Sequence, residues 1–364
     1  MKNQEWKMAA GCSALSWMTE DGKCLWGRNL DYDRIAKGSC AAYLPKETSY
    51  YTWGSSIDEN LEEENHRKSR YACVGIGFFE MSSTPVLYEG INEEGLMGGQ
   101  LYYREYAVYH QQARPETMKL QPPFLVFHLL AQCKNIQEVV QVMEHAVTLM
   151  DTKLLGTIAP LHWAFCDRTG EMVIIEPDKE GVNIYRNTIG VMTNSPGYPW
   201  HRLNLLNYAG LRNSDYETAS LDETLRQCFS GSGAQGLPGD FSSPSRFLRL
   251  AFLKRYGKKG KNEKEGAAYL FRALQNVAFP IGAVKVSEQE NLTEYDREIE
   301  PYDYTVYTSV MCAQSLRFYW TTYRNQNIRY LDLKHMMGSS QMFQFPLGKE
   351  PDFQCLSQGI KANA

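Results

Sequence analysis

A chain of 364 residues with 43% hydrophobic side chains can bury a sizeable core, either as one large sheet-based unit or as two smaller ones. Its formal net charge of −4 provides no basic excess for a polyanion, which argues against a nucleic-acid partner. No run of 18 apolar residues is present to span a membrane, and the opening MKNQEWKMAAG lacks the apolar stretch of a secretory signal, so a cytosolic protein is expected.

In chain order, residues 13–17 and 23–29 read as short strands across the turn Glu20-Asp21-Gly22. Residues 59–70 form a charged run suited to a solvated loop. Strands are expected at 71–79 and at the glycine-rich 95–103, where backbones approach closely. The stretch 122–149 carries two apolar clusters at helical spacing, which predicts two helices with a break near Lys134-Asn135. Strands resume at 161–166, 171–176, 182–185 and 189–193, the first two joined by Asp167-Arg168-Thr169-Gly170. Helices are expected at 247–255 and 267–278, separated by KKGKNEKEG, and closing strands at 305–312, 316–323 and 328–333. Strand blocks rich in hairpins alternate with helix blocks. That order predicts an α+β fold with two antiparallel sheets sandwiched between helix layers, in one domain.

Several apparent signals carry little chemistry. The nine cysteines include no C-x-x-C pair, so neither a zinc site nor a redox dithiol is indicated. The histidines include no H-x-x-x-H pair, and His162 and His201, flanked by apolar residues, read as structural. GSGAQG at 231–236 matches a dinucleotide loop, but Leu237-Pro238-Gly239 follows it and starts no helix. No G-x-S-x-G elbow occurs. No metal and no cofactor are expected.

A different constellation does point to chemistry. Gly11-Cys12-Ser13 enters the first strand, and Gly27-Arg28-Asn29-Leu30-Asp31 lies on its hairpin partner. Taken alone, the cysteine is ordinary and the Arg and Asp could be a plain ion pair. The combination resembles the choloylglycine hydrolase family, the N-terminal-nucleophile hydrolases that include bile salt hydrolases and penicillin V acylases. The resemblance runs through most of the chain in order: Asn92-Glu93-Glu94-Gly95-Leu96-Met97, Thr193-Asn194-Ser195-Pro196, Gly236-Leu237-Pro238-Gly239-Asp240-Phe241 with Ser245-Arg246-Phe247, and Tyr307-Thr308-Ser309 with Met311-Cys312.

The resemblance implies an αββα sandwich and a cysteine amidase acting on a small-molecule amide. Cys12 would be the nucleophile and its freed α-amine the base. Arg28 and Asp31 would orient and tune both groups. The backbone N–H of Tyr102 and the side chain of Asn194 would form the oxyanion hole, and Arg246 would stabilise charge near the thiolate. The amine exists only if the Gly11–Cys12 bond is cut, which makes 1–11 a prosegment and 12–364 the mature domain, unless Met8 is the true start. The physical chemistry suits these roles. A free thiol is only a few per cent ionised at neutral pH, while an α-amine with a pKa of about 7.7–8.0 can take its proton. A homotetramer is implied by the resemblance alone.

The substrate is the least determined element. Gln100-Leu101-Tyr102-Tyr103 stands where bile salt hydrolases commonly have G-L-N-x-P, and the tyrosine resembles the penicillin V acylases. A flat phenoxyacetyl group would pack on aromatic rings better than a bulky steroid, so phenoxyacetyl amides are favoured over conjugated bile salts. Acyl homoserine lactones and an inactive binding relative are the remaining alternatives.

Overall fold

The computed structural model describes residues 11–54, 61–217, 222, 224–225, 228–286, 292–296 and 298–355. The expected prosegment up to residue 10, including Met8, and the first two residues of the charged run lie outside them. Strand Leu161–Cys166 shows why the architecture is layered. All six of its residues are buried, so both faces of its sheet must be covered. The alternation of side chains achieves this. Ala164 and Cys166 join the cluster between the sheets, while Trp163 and Phe165 join the cluster under a helix layer.

The strands that build the two main sheets are, in chain order, β1 (Ser13–Met18), β2 (Cys24–Tyr32), β3 (Ser39–Leu44), β4 (Cys73–Phe78), β5 (Val86–Asn92), β6 (Met97–Tyr102), β7 (Leu161–Cys166), β8 (Met172–Asp178), β9 (Gly181–Tyr185), β10 (Val191–Met192), β11 (Val284–Lys285), β12 (Tyr302–Cys312), β13 (Arg317–Thr322), β14 (Arg329–Asp332) and β15 (Phe343–Phe345). The first sheet has the order β10-β1-β2-β12-β13-β14, with β11 beside β12. The second runs β9-β8-β7-β6-β5-β4-β3-β15. Their strand pairs are antiparallel.

Helices α1 (Leu125–Gln132) and α2 (Ile136–Gln141) cover the second sheet, α1 packing on β5 and β6. After α3 (Tyr198–Asn204), the longer α4 (Ser243–Tyr256) and α5 (Glu263–Gln275) cover the first sheet, packing on β1, β2, β10 and β12. The result is the αββα arrangement expected from the sequence. The break expected near Asn135 is an N-cap: its side chain accepts the Glu138 N–H. Asn262 caps α5 in the same way, accepting from Lys264 and Glu265.

One expectation needs correction, and some elements were not foreseen. The second helix of 122–149 does not reach residue 149. It ends in a wide turn at Val142–Ala146, and Val147–Leu149 pairs in parallel with Met118–Leu120. β-Branched Val147 and Thr148 suit a strand, and the pairing outweighs the local helical pattern. Strands β3 and β5, the latter carrying Glu-Gly in its interior, were not expected, nor was α3. As expected, no helix starts after the loop at 231–236, which contains only a short helical turn, Ser232–Ala234.

Candidate active site

The hairpin register determines where the site forms. Ser13 pairs with Asn29 and Ala14 with Arg28, so Cys12 and Asp31 fall at the open end of the β1–β2 ladder. Cys12 is 2% exposed. Its Sγ accepts a hydrogen bond of 3.1 Å from Arg28 Nη2. Arg28 is itself buried, and its Nη1 donates to Glu89 Oε2 at 2.7 Å and to the Tyr88 carbonyl at 3.1 Å. Burial alone would weaken the guanidinium's hold on its proton, but the neighbouring Cys12, Glu89 and Tyr307 outweigh that and hold it above its ordinary range.

Asp31 lies wholly inside the protein. Its Oδ1 accepts from the Thr305 hydroxyl at 2.5 Å, while Oδ2 has no hydrogen-bond partner among the described residues. Burial pushes its pKa up to about 7, against the pull of Arg246, Thr305 and Arg28. Arg246, near the start of α4, crosses to the same end of the hairpin. Nη1 donates to the Cys12 carbonyl at 2.6 Å and to Ser13 Oγ at 2.8 Å, Nη2 to Asn194 Oδ1 at 2.7 Å, and Nε to the Phe241 carbonyl at 2.8 Å. It grips the backbone of Cys12 and the amide of Asn194, a more specific engagement than the general charge stabilisation expected.

Asn194 follows the short β10. Its Nδ2 donates to the Tyr102 carbonyl at 2.9 Å. Its own backbone is pinned on both sides: the N–H donates to Ser243 Oγ at 2.9 Å, and the carbonyl lies 2.9 Å from His201 Nε2. Burial pushes His201 down to about 4, so the ring is neutral at pH 7 and donates from Nε2. The Tyr103 N–H donates to the Pro160 carbonyl just before β7, so alternation turns the Tyr102 N–H to the opposite edge, the edge where Asn194 bonds the Tyr102 carbonyl. All six residues singled out in the sequence therefore converge at one end of the first hairpin. Glu89 and Tyr32 were missed. Glu89 gave no signal beyond being acidic within an apolar strand. His201 was read as structural, and it supports the backbone of Asn194.

The Cys12 sulfur opens on a cavity of about 210 Å³, walled by Ile35, Phe78, Val86, Leu155 and Tyr295 among others. Tyr32 and Tyr102 stack at its edge, with centroids 5.6 Å apart and planes 20° apart. Gly11 is packed against the same polar groups. A Cβ built on it would lie 1.9 Å from Arg246 Nη2 and 2.6 Å from Asn194 Oδ1. A larger residue there would have to displace the Arg246 guanidinium and the Asn194 amide, which are buried and bonded to each other. Among the described residues, no cluster of three or more His, Cys, Asp or Glu side chains is placed to hold a metal ion, and no helix is long and apolar enough to cross a membrane.

A family model described as linear amide C–N hydrolases, choloylglycine hydrolase family, matches residues 12–342. The chain belongs to the choloylglycine hydrolase family. It is 30% identical over 325 residues to a bile salt hydrolase/transferase of Clostridium perfringens, covering 88% of this chain and 92% of that protein. A bile salt hydrolase/transferase of Lactiplantibacillus plantarum is 29% identical over 350 residues, covering 95% of this chain and 100% of the relative. A solved structure of a conjugated bile acid hydrolase variant from Clostridium perfringens superposes with a TM-score of 0.83 at 27% identity, over 95% of this chain and 100% of that one. Penicillin V acylase from Agrobacterium tumefaciens gives a TM-score of 0.67 at 18% identity over 92% of this chain and 90% of its own, a likeness of fold alone. This choloylglycine hydrolase family member is accordingly a hydrolase of linear amide C–N bonds. The lean towards penicillin V acylase from Tyr102 is less well supported than its bile salt alternative: the relatives that share sequence as well as fold are named for bile salts.

Proposed function

We propose that this protein hydrolyses the amide bond of conjugated bile salts, with Cys12 as an N-terminal nucleophile. The observation that carries the reading is the Cys12 sulfur, held 3.1 Å from Arg28 Nη2 at the mouth of a largely apolar cavity. Maturation comes first. The Cys12 sulfur attacks the Gly11 carbonyl, the peptide nitrogen leaves as the α-amine, and water releases the 1–11 segment. Gly11 already lies against Asn194 and Arg246, so one set of groups serves both cleavages. The unpartnered Asp31 Oδ2 is the acceptor assigned to the new amine in this reading.

In turnover the α-amine takes the thiol proton and sulfur attacks the substrate carbonyl. The oxyanion is met by the Tyr102 N–H and Asn194 Nδ2. The ammonium protonates the departing amine, leaving a thioester that water opens to the free acid. Both groups are carried by one residue, so little orientational entropy remains to be lost. The test is a panel of glycocholate, taurocholate and penicillin V with mature protein, its N-terminus defined by intact mass. Release of glycine and taurine at higher kcat/KM than penicillin V turnover is expected. Penicillin V turnover with none from the bile salts would overturn the bile salt reading. The stacked Tyr32–Tyr102 pair and the modest cavity favour phenoxyacetyl amides as the second reading.

A further inference from the structure

Glu89 has no role in the chemistry above, yet its side chain is 0% exposed and lies between the sheets. It belongs to β5 in the second sheet, whereas Arg28 belongs to β2 in the first. The two buried charges meet across the inter-sheet boundary at 2.7 Å. Tyr307, from β12 of the first sheet, donates its hydroxyl to the same Glu89 oxygen at 2.9 Å. The Tyr88 carbonyl accepts from the same Arg28 Nη1 at 3.1 Å. With Nη1 held by two acceptors on β5, the planar guanidinium has one orientation, and that orientation aims Nη2 at the Cys12 sulfur. A buried ion pair is a poor way to gain stability, since a well-packed apolar pair of similar volume often does as well or better. Its placement behind the sulfur suggests another use.

We propose that Glu89 is a positioning residue for the amidase reaction: it fixes the Arg28 fork on Cys12 and offsets its charge so that the sulfur stays reactive. An uncompensated guanidinium would hold the thiolate tightly, and the nucleophilicity of a thiolate falls with its basicity. Paired with Glu89, Arg28 still offers a directed N–H but a weaker net field. The proposal rests on Cys12 being the nucleophile. The charged and titratable groups around the sulfur are the α-amine of Cys12 itself, Arg28 and Asp31 from β2, Arg246 from α4 and Tyr102 from β6, with Tyr307 and Glu89 behind Arg28, burial raising the Glu89 carboxyl against the pull of Arg28.

Glu89→Gln keeps the shape and removes the charge. With the full mature protein, the rate of Cys12 alkylation by iodoacetamide is measured against pH alongside steady-state kinetics. The alkylation midpoint should fall by about one pH unit. Above the midpoint, kcat should drop about threefold while KM stays within about twofold, because a thiolate one pH unit less basic is less nucleophilic by about that factor. Glu89→Asp, which restores the charge on a shorter stem, should return the midpoint towards wild type and recover part of kcat. An unchanged or raised midpoint overturns the proposal, whether kcat is kept or is lost together with thermal stability. If Glu89→Gln does not fold, Tyr307→Phe decides. Losing the second donor concentrates the carboxylate on Arg28, so the midpoint should rise by about a few tenths of a pH unit, and no change or a fall overturns the proposal. Turnover retained by Cys12→Ala would instead reject the underlying assignment of the nucleophile.

Discussion

Two buried thiol centres lie on the same hairpin and differ in almost everything that makes a thiol useful. Cys12, at one end, has a guanidinium 3.1 Å from its sulfur and a cavity in front of it. Cys24, at the other, sits 3.5 Å from Cys166 of the second sheet, both 0% exposed. A cation is near here too: Lys254 donates to the Ser16 carbonyl and, at 3.0 Å, to Ser16 Oγ. The hydrogen bond with Cys24, together with burial, nevertheless holds the Cys166 thiol well above its ordinary range. Burial likewise pushes Lys254 down to about 8, which weakens it as a counter-charge. A neighbouring cation does not by itself make a nucleophile. Access, a cation with its charge secured by a carboxylate, and the absence of a competing thiol separate the two centres. The largest expected effect follows directly. Cys12→Ala should abolish turnover, by about 10⁴-fold or more, and should leave the Gly11–Cys12 bond intact by mass. Activity surviving in that variant would assign the chemistry to another thiol.

Next in size is the oxyanion side of the Cys12 centre, which the Cys24–Cys166 pair lacks. Asn194→Ala removes a neutral donor whose backbone is separately held by Ser243 and His201. kcat should fall by roughly 10²–10³-fold with little change in KM, in line with the loss of one oxyanion-hole donor. A loss confined to KM would make Asn194 a binding residue instead.

The two centres also differ in how far the sequence reveals them. Cys12, Arg28 and Asp31 are legible because they lie within one hairpin, whose register the turn at Glu20-Asp21-Gly22 sets. Asn194 and Arg246 are distant in sequence and were found through the motifs around them. Glu89 was not legible, because its partner is 61 positions away on the other sheet, and strand pairing alone does not say which faces of two sheets meet. The same limit hid the Cys24–Cys166 contact, 142 positions apart. Most strands could be read because their apolar runs are bounded by turn residues. β3 and β5 were missed because Ser-Cys-Ala-Ala and Glu-Gly interrupt the expected alternation. The helical reading of 142–149 failed because a parallel pairing with Met118–Leu120, not local propensity, decides Val147–Leu149.

Titration gives the two centres opposite signs. Asp31 is pushed up to about 7 by burial, and Asp303 to about 7 by burial and by Asp33 and Asp31. Between the ordinary carboxylate range and pH 7 the folded protein keeps protons that the unfolded chain has released, so stability is present at low pH and is lost as pH rises through that window. Lys254, pushed down to about 8, does the reverse: between about 8 and the ordinary lysine range the unfolded chain holds the extra proton, and stability rises with pH. In the Cys12→Ala background, which retains Gly11, Asp31→Asn should raise Tm at pH 7 and flatten its decline between pH 4 and 7. Lys254→Met should flatten only the rise above pH 8. Thermal melts across pH test both, and an Asp31→Asn profile parallel to its parent would mean that the carboxyl is ionised in the folded state.

The smallest effects belong to the thiol pair itself. Cys24→Ala and Cys166→Ala each remove one buried sulfur from a packed contact, which should cost about 1 kcal/mol of stability apiece. The side chains touch at 3.5 Å, so the double variant should cost less than the sum, because the second substitution removes a sulfur whose partner has already gone. kcat/KM should stay within about twofold of wild type in all three, and iodoacetamide should label Cys12 in the folded mature protein while leaving Cys24 and Cys166 unmodified by peptide mass. A tenfold loss of kcat in Cys24→Ala at unchanged Tm would place that end of the hairpin in the reaction. Access to the cavity and a carboxylate-paired cation would then not be what separates a structural thiol from a working one in this fold.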